Sequence, residues 1–334
     1  MKVVYLAPSP PPPVQGTDGM CNEIGSIQKS FGGDIFIISP FRSFPPLFPV
    51  MFYGMRHSLA LKKSAQNAAL IHAFFPYLVD FYLLRGKFPP IVYTITSGVE
   101  KGSLPRSTPP YALVVSSDQE ADILESRGMH DVHVIRPGIN LSLIKSMPPP
   151  EQDSEFVILA GSAPWTRDQF EGKGFDLLLE LLHRIPQVRM VCLWRGILYR
   201  EWDARIRRAG LAGRVEIINE KTEISRVFSQ CHCAVVLALQ PGLVKSFPNS
   251  LMEALAAGRP VIVSRAIPMS HYVEATGCGR VIETLTPEDL VSAVIELLDH
   301  YNVYRAAAVS AGRRDLSADR MVGEYRQLYR NLQP

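Results

Sequence analysis

No stretch of this sequence approaches the ~20 consecutive apolar residues that a bilayer-spanning helix requires, so no transmembrane anchor is expected. An excess of charge is lacking too. The 35 Lys and Arg stand against 32 Asp and Glu, and a net charge of +3 gives no whole-molecule reason to expect a nucleic-acid partner. Cysteine is scarce and odd in number: Cys21, Cys192, Cys231, Cys233 and Cys278. A disulfide framework is therefore not expected. The run Cys231-His232-Cys233 has no second ligand pair at zinc spacing and leads straight into the apolar Ala234–Leu237. Buried, reduced thiols and a cytoplasmic compartment are the expectation. The N-terminus passes from a strand-like run directly into Pro10–Pro13, so no signal-peptide core is expected either. Repeats and low-complexity tails are absent.

What is present is a globular composition, with 47% hydrophobic and 20% charged residues over 334 positions, long enough for two domains. Short apolar, β-branched runs alternate with amphipathic segments along the whole chain. The first series is Val3–Ala7, Ile35–Ser39, Leu70–Phe74, Ile91–Thr96, Ala112–Ser116 and Val132–Ile135. The second is Phe156–Ala160, Val188–Leu193, Val215–Ile218, Cys233–Leu239, Val261–Ser264 and Arg280–Ile282. Near-continuous apolar runs mark strands buried on both faces, which means parallel sheets with helices on either side. Two series separated by the polar, proline-rich Lys145–Ser154 predict an α/β chain of two facing, doubly wound, Rossmann-like domains. Residues 1–148 and 149–316 would form them. A helix within 317–334 would cross back to the first domain, and the ligand site would lie in the cleft between them.

Three segments carry the chemistry. Gly161–Gly174 is a loop between a strand and a helix, a place where backbone N–H groups and the helix dipole favour an anion, with Lys173 adding a point charge. Alone, a lysine and a glycine before a helix also describe an ordinary solvated loop. Next, Pro248-Asn249 opens a helix that Gly258 closes, before Pro260 begins a strand. Glu253 sits one turn into that helix among Leu251, Met252, Ala254 and Leu255. A carboxylate there needs a partner, either a nearby backbone or a vicinal diol such as ribose. The third segment, Asn219-Glu220-Lys221, follows a strand where a base-recognition loop would fall.

Glu253-Ala-Leu-Ala-Ala-Gly-Arg-Pro-Val261 closely resembles the donor-site motif of family-four glycosyltransferases. Val114–Leu124 is similar to the family's serine followed by a helix, Val134–Asn140 to its run before the linker, and Lys173-Gly174 to its Lys-Gly. The likeness extends from about Val114 to Leu298. It implies the GT-B fold and metal-independent glycosyl transfer with retention of anomeric configuration. The donor would be a nucleotide-diphosphate sugar, UDP- or GDP-linked, and no cofactor would be needed. It further implies that Lys173, with the helix start at Asn249, Ser250 and Leu251, holds the diphosphate, helped by Gly161 and by a first-domain loop containing Gly16 and Gly19. Glu253 would take the ribose hydroxyls. A carbohydrate or a lipid-linked sugar is the implied acceptor.

This sequence departs from the family at three positions. Lys245 stands where the family has the first glutamate of its pair, Ser162 where it has an arginine, and Thr96, in Ile91–Gly98, where a histidine lies near the reaction centre. The longer loop before Lys173 leaves Arg167 able to reach the site. Lys245 fits a donor bearing a carboxylate; equally, the chain could be a non-catalytic relative that binds nucleotide or a partner. A hexosamine epimerase or a phosphorylase would share the fold. His72, on a "Val-Val-His"-like element, reads as a satisfied core residue more readily than as a catalyst. Finally, residues 40–63 combine aromatics with Arg42, Arg56, Lys62 and Lys63 and contain no acid. They suit either peripheral membrane contact or an aromatic wall of the acceptor pocket.

Overall fold

The computed structural model describes residues 1–8, 19–38, 49–102, 111–145, 148, 150, 155–164, 166–194, 198–220 and 222–332. They form two compact units: Met1–Gly138 together with Ala318–Pro334, and Ile139–Ser317.

The first unit contains strands β1 (Val3–Ala7), β2 (Ile35–Ile37), β3 (Leu70–Phe75), β4 (Ile91–Ile95), β5 (Tyr111–Val115) and β6 (Val132–Val134). All pair in parallel, in the order β2-β1-β3-β4-β5-β6. The period-two side-chain alternation of a strand sends Val4 and Leu6 into one core and Val3, Tyr5 and Ala7 into the other, so both faces are covered. Helices α1 (Gly19–Phe31), α2 (Ser58–Ala65) and α3 (Asp118–Ser126) belong to this unit. Ser117 caps α3 by accepting from the Glu120 N–H, while the Glu120 carboxylate accepts from the Ser116 N–H and the Ser117 hydroxyl. This reciprocal arrangement explains why a serine precedes the helix.

The second unit contains β7 (Phe156–Gly161), β8 (Val188–Leu193), β9 (Val215–Ile218), β10 (Cys233–Val236), β11 (Val261–Ser264) and β12 (Gly279–Ile282), again all parallel, in the order β12-β11-β10-β7-β8-β9. The helices are α4 (Gln169–Gly172), α5 (Phe175–Arg184), α6 (Tyr199–Arg208), α7 (Ile224–Gln230), α8 (Asn249–Ala256), α9 (Met269–Thr276), α10 (Pro287–Asp299) and α11 (Tyr301–Asp315). Ile158 and Ala160 enter one core with α5 and α10, and Leu159 enters the other with α8. The chain runs outward from β7 through β8 to β9, then returns to pair β10 on the other side of β7. The carboxyl ends of β7 and β10 thus flank the point where strand order reverses, the position at which open α/β sheets bind ligands.

The tenth strand is shorter than its apolar run. It ends at Val236, because the Ala238 N–H and C=O both bond the Ser264 hydroxyl, at 2.8 and 2.9 Å, and the Leu239 N–H donates to the Gly172 carbonyl at 2.8 Å. The chain is pulled out of the sheet and towards α4 at that end.

The last helix, α12 (Ala318–Asn331), packs in the first unit, with Met321, Val322, Tyr325, Leu328 and Tyr329 buried against β1, β3 and α1. The spacing 321, 325, 328, 329 is one helical stripe. Its two tyrosines reach a polar centre in the sheet. His72 Nδ1 lies 2.5 Å from the Tyr329 hydroxyl and its Nε2 2.7 Å from Thr94 Oγ1, which is 2.9 Å from the Tyr325 hydroxyl. Burial holds the imidazole well below its ordinary pKa, so the ring is neutral. His72 is a partnered residue inside β3.

Candidate functional site

Lys173 is the side chain around which the site is built. It caps the end of α4 and precedes Gly174, whose φ of 63° sets the left-handed turn into α5. A side chain at Gly174 would also put its Cβ 2.9 Å from Leu237 Cδ1, so the loop sits tightly over the end of β10. Lys173 is only 2% exposed, and its ammonium donates to the Ala163 carbonyl at 3.1 Å and lies 3.5 Å from Ser162 Oγ. Among the described residues these neutral oxygens are its partners, and it makes no ion pair. Burial lowers its pKa from 10.5 to about 8. At neutral pH it remains predominantly a cation, in a setting that an anion would stabilise.

The strand end and the helix start meet beside it. Gly161, the last residue of β7, pairs with Val236 of β10. A Cβ on Gly161 would fall 2.7 Å from Ser250 Oγ and 3.2 Å from its Cβ, so the N-terminus of α8 lies close against the end of β7 and a larger residue would displace the Ser250 side chain. Helix α8 has no side-chain cap: Pro248 stands at the cap position, and the Leu251 N–H bonds the Pro248 carbonyl at 3.1 Å. An uncapped helix start presents N–H groups and the positive end of its dipole. Asn249 is half-buried there, and its side-chain oxygen has no hydrogen-bond partner among the described residues. Glu253, one turn on and half-buried, shares a helix face with Asn249 at i, i+4 spacing. Lys245 is half-buried just upstream, between buried Val244 and Ser246.

Gly161, Ser162, Lys173 and Ser250 are therefore gathered at the carboxyl ends of β7 and β10, with Asn249, Leu251 and Glu253 on the adjoining helix. Leu251 is fully buried, so its contribution is through the backbone. Arg167 does not join this group. Its side chain is 82% exposed and pairs with Glu201 at 2.9 Å, which answers a surface carboxylate rather than an inward one. Asn219 is exposed just past β9, and Lys221 lies outside the described residues. So do Gly16 and residues 40–48. Thr96 follows β4 in the first unit and is 3% exposed. Its N–H donates to the Phe75 carbonyl at 3.1 Å, whereas its hydroxyl has no hydrogen-bond partner among the described residues.

The Cys231-His232-Cys233 run is packing. Burial pushes the Cys231 thiol up to about 12 and raises Cys233 as well. His232 stacks on Phe156, accepts from the Val157 N–H at 3.0 Å, and is lowered to about 4, chiefly by burial. Among the described residues no group of three or more His, Cys, Asp or Glu is placed to hold a metal.

Residues 167–315 match the family Glycosyl transferases group 1. The match begins within the loop that carries Lys173 and spans α8. A stretch of 126 residues is 25% identical to the lipopolysaccharide glucosyltransferase WaaG of Escherichia coli (strain K12), covering 36% of this chain and 33% of that protein. The matched stretch thus spans about a third of that relative's length. The whole chain is similar in fold to sucrose-phosphate synthase of Thermosynechococcus elongatus, with a TM-score of 0.76, 16% identity, and coverage of 99% of this chain and 98% of that one. It is similar also to Anabaena HepE solved with UDP-glucose, with a TM-score of 0.70, 15% identity, and coverage of 99% and 100%. The architecture is that of a GT-B glycosyltransferase, two Rossmann-like domains each built on a six-stranded parallel sheet.

Proposed function

We propose that this chain transfers a glycosyl group from a nucleotide-diphosphate sugar to a hydroxyl acceptor, with retention of anomeric configuration and without a metal ion. The observation that carries the proposal is the buried Lys173 ammonium, which has neutral oxygens for partners and lies beside the uncapped start of α8. A diphosphate supplies the missing negative charge. Lys173 and the N–H groups of Asn249 and Ser250, with the dipole of the helix turn that Leu251 continues, then stabilise the leaving group as charge develops on it, the work a divalent ion does elsewhere. Glu253 accepts hydrogen bonds from the ribose hydroxyls, while Gly161 and Ser162 give the diphosphate close backbone approach.

The match of residues 167–315 to group 1 glycosyl transferases supports this assignment. A UDP-linked donor is favoured by the UDP and UDP-glucose found bound in HepE, which shares the fold. Lys245 is assigned to the donor sugar, where a cation selects a carboxylate-bearing sugar by charge pairing. The acceptor, a carbohydrate or a lipid-linked sugar, is assigned to the first unit, with Thr96 offering its unpaired hydroxyl.

Release of nucleoside diphosphate from a panel of UDP- and GDP-sugars tests the proposal. Slow hydrolysis of one donor, abolished in Glu253→Ala, is the expected result. Binding without turnover for every donor would make the chain a nucleotide-binding relative. Interconversion of a sugar nucleotide with no acceptor present would make it an epimerase. Unchanged sugar preference in Lys245→Glu would remove the charged-donor assignment.

A further inference from the structure

Lys173 and the start of α8 belong to separate stretches of chain, and the loop that joins β10 to α8 meets both. On the Lys173 side, the Leu239 N–H donates to the Gly172 carbonyl at 2.8 Å. A Cβ on Gly172 would come within 3.0 Å of Leu243 Cδ1, and one on Gly174 within 2.9 Å of Leu237 Cδ1. Leu237 and Leu243 thus lie against the backbone on either side of Lys173. On the α8 side, the loop runs through buried Val244, Ser246 and Phe247 to Pro248, the cap position of the helix.

Both ends of this loop are fastened by one other segment, the turn from β11 to α9. The Ser264 hydroxyl, 2% exposed, accepts from the Ala238 N–H at 2.8 Å and donates to the Ala238 carbonyl at 2.9 Å. Five residues on, the Met269 N–H donates to the Ser246 carbonyl at 3.0 Å. The turn is itself closed by bonds from the Ile267 N–H to the Ser264 carbonyl at 3.0 Å, from the Ser270 N–H to the Ile267 carbonyl at 2.8 Å, and from the Ser270 hydroxyl to the Arg265 carbonyl at 3.2 Å. A single side chain on a self-bonded turn therefore satisfies both backbone groups of the residue at which the loop leaves the sheet. Ala238 is buried, so an alanine at 264 would strand that N–H and that carbonyl, and the exit of β10 would have to shift to find other partners. We propose that Ser264 is a positioning residue for the donor site: through Ala238 and Leu239 it sets the turn that carries Lys173, and through the same loop it sets the start of α8. Ser264 acts on the backbone and not on the ligand, and its role rests on the donor site assigned above to Lys173 and α8.

Calorimetric titration of UDP and GDP into wild type, Ser264→Ala, Ser264→Thr and Ser117→Ala tests this, repeated at several pH values and with each unfolding midpoint recorded. Ser264→Ala should bind the preferred nucleotide about tenfold more weakly, the loss of roughly one hydrogen bond to a charged group. The fall of affinity with pH, centred near 8 in the wild type, should also move up towards the ordinary lysine value of 10.5, because a displaced turn returns Lys173 to water. Ser264→Thr keeps the hydroxyl and should retain both properties. Ser117→Ala destabilises α3 of the first unit and should leave affinity unchanged, which separates lost stability from lost position. Leu239→Pro, at a residue 53% exposed, deletes the N–H that bonds Gly172 and should repeat the Ser264→Ala result even if that variant does not fold. Wild-type affinity and pH dependence in a folded Ser264→Ala, or in Leu239→Pro, overturn the proposal. So does weaker binding with an unmoved pH dependence, which would leave Ser264 a role in stability alone. Failure of the wild type to bind either nucleotide would overturn the donor reading, and this proposal with it.

Discussion

Two buried polar centres in this molecule contrast sharply. In the first unit, Tyr329, His72, Thr94 and Tyr325 form a linear chain of hydrogen bonds in which each of the four side chains has a partner within the protein. In the second, Lys173 is almost as deeply buried, yet meets only a carbonyl and a hydroxyl and has no counter-ion among the described residues. A satisfied centre stabilises and specifies packing; it ties α12 to β3 and β4. An incompletely compensated charge costs free energy and is consistent with a ligand that completes it. Burial alone does not separate architecture from function, but the state of the partners does.

Substitutions should therefore divide the two centres cleanly. The largest effect is expected from Lys173→Ala, which should lower turnover about 100- to 1,000-fold, the loss typical of removing one stabilising donor at a developing charge. Steady-state kinetics on the preferred donor measures it. His72→Ala should have the opposite signature: a loss of about 3 kcal/mol of stability in denaturant unfolding, from a cavity and stranded hydroxyls, with nucleotide affinity unchanged. Reduced nucleotide affinity in a folded His72→Ala would break the contrast. Glu253→Ala should weaken nucleoside diphosphate binding about tenfold or more by calorimetry, through lost hydrogen bonds to the carboxylate.

The smallest effects sharpen the comparison. Lys173 titrates near pH 8 in the fold. It is charged below that value and neutral above it, so diphosphate affinity should fall as pH rises through about 8, and the fall should vanish in Lys173→Met. The sign for stability is separate. The unfolded lysine, with its ordinary pKa of 10.5, binds more protons than the folded one between about 8 and 10.5. The contribution of Lys173 to unliganded stability therefore improves over that window. Ser117→Ala, which removes the cap of α3 and touches neither centre, should cost about 1 kcal/mol and leave binding intact.

The sheets were legible in the sequence because a strand buried on both faces announces itself as a short unbroken apolar run, as in Val188–Leu193 and Val261–Ser264. The departure at β10 was not. Leu237–Leu239 continues the apolar run, and what removes it from the ladder is Ser264 and Gly172, both distant in sequence. The same reason hid the partners of His72, since Tyr325 and Tyr329 are brought to it only by the packing of α12. Lys173 and Gly161 stand out in the sequence because a loop feeding a helix carries its pattern locally, and their proposed roles rest on that pattern and on their placement at the carboxyl end of β7. Arg167 illustrates the complementary limit: loop length says how far a side chain can reach, whereas its pairing with Glu201 is made by a residue distant in sequence. Nothing local in Ser250 reveals that its hydroxyl crosses Gly161; the helix start must first be laid against β7.

The most direct measurement is calorimetric titration of UDP and GDP into wild type and Lys173→Met near pH 7, with the unfolding midpoint of each unliganded protein recorded alongside. Binding of one nucleotide by the wild type is predicted, with none detectable for the variant and a midpoint equal to or higher than that of the wild type. Equal affinity in the two proteins would contradict the assignment of Lys173 as the seat of the diphosphate. A collapsed midpoint in the variant would mean that the lysine belongs, like His72, to the architecture.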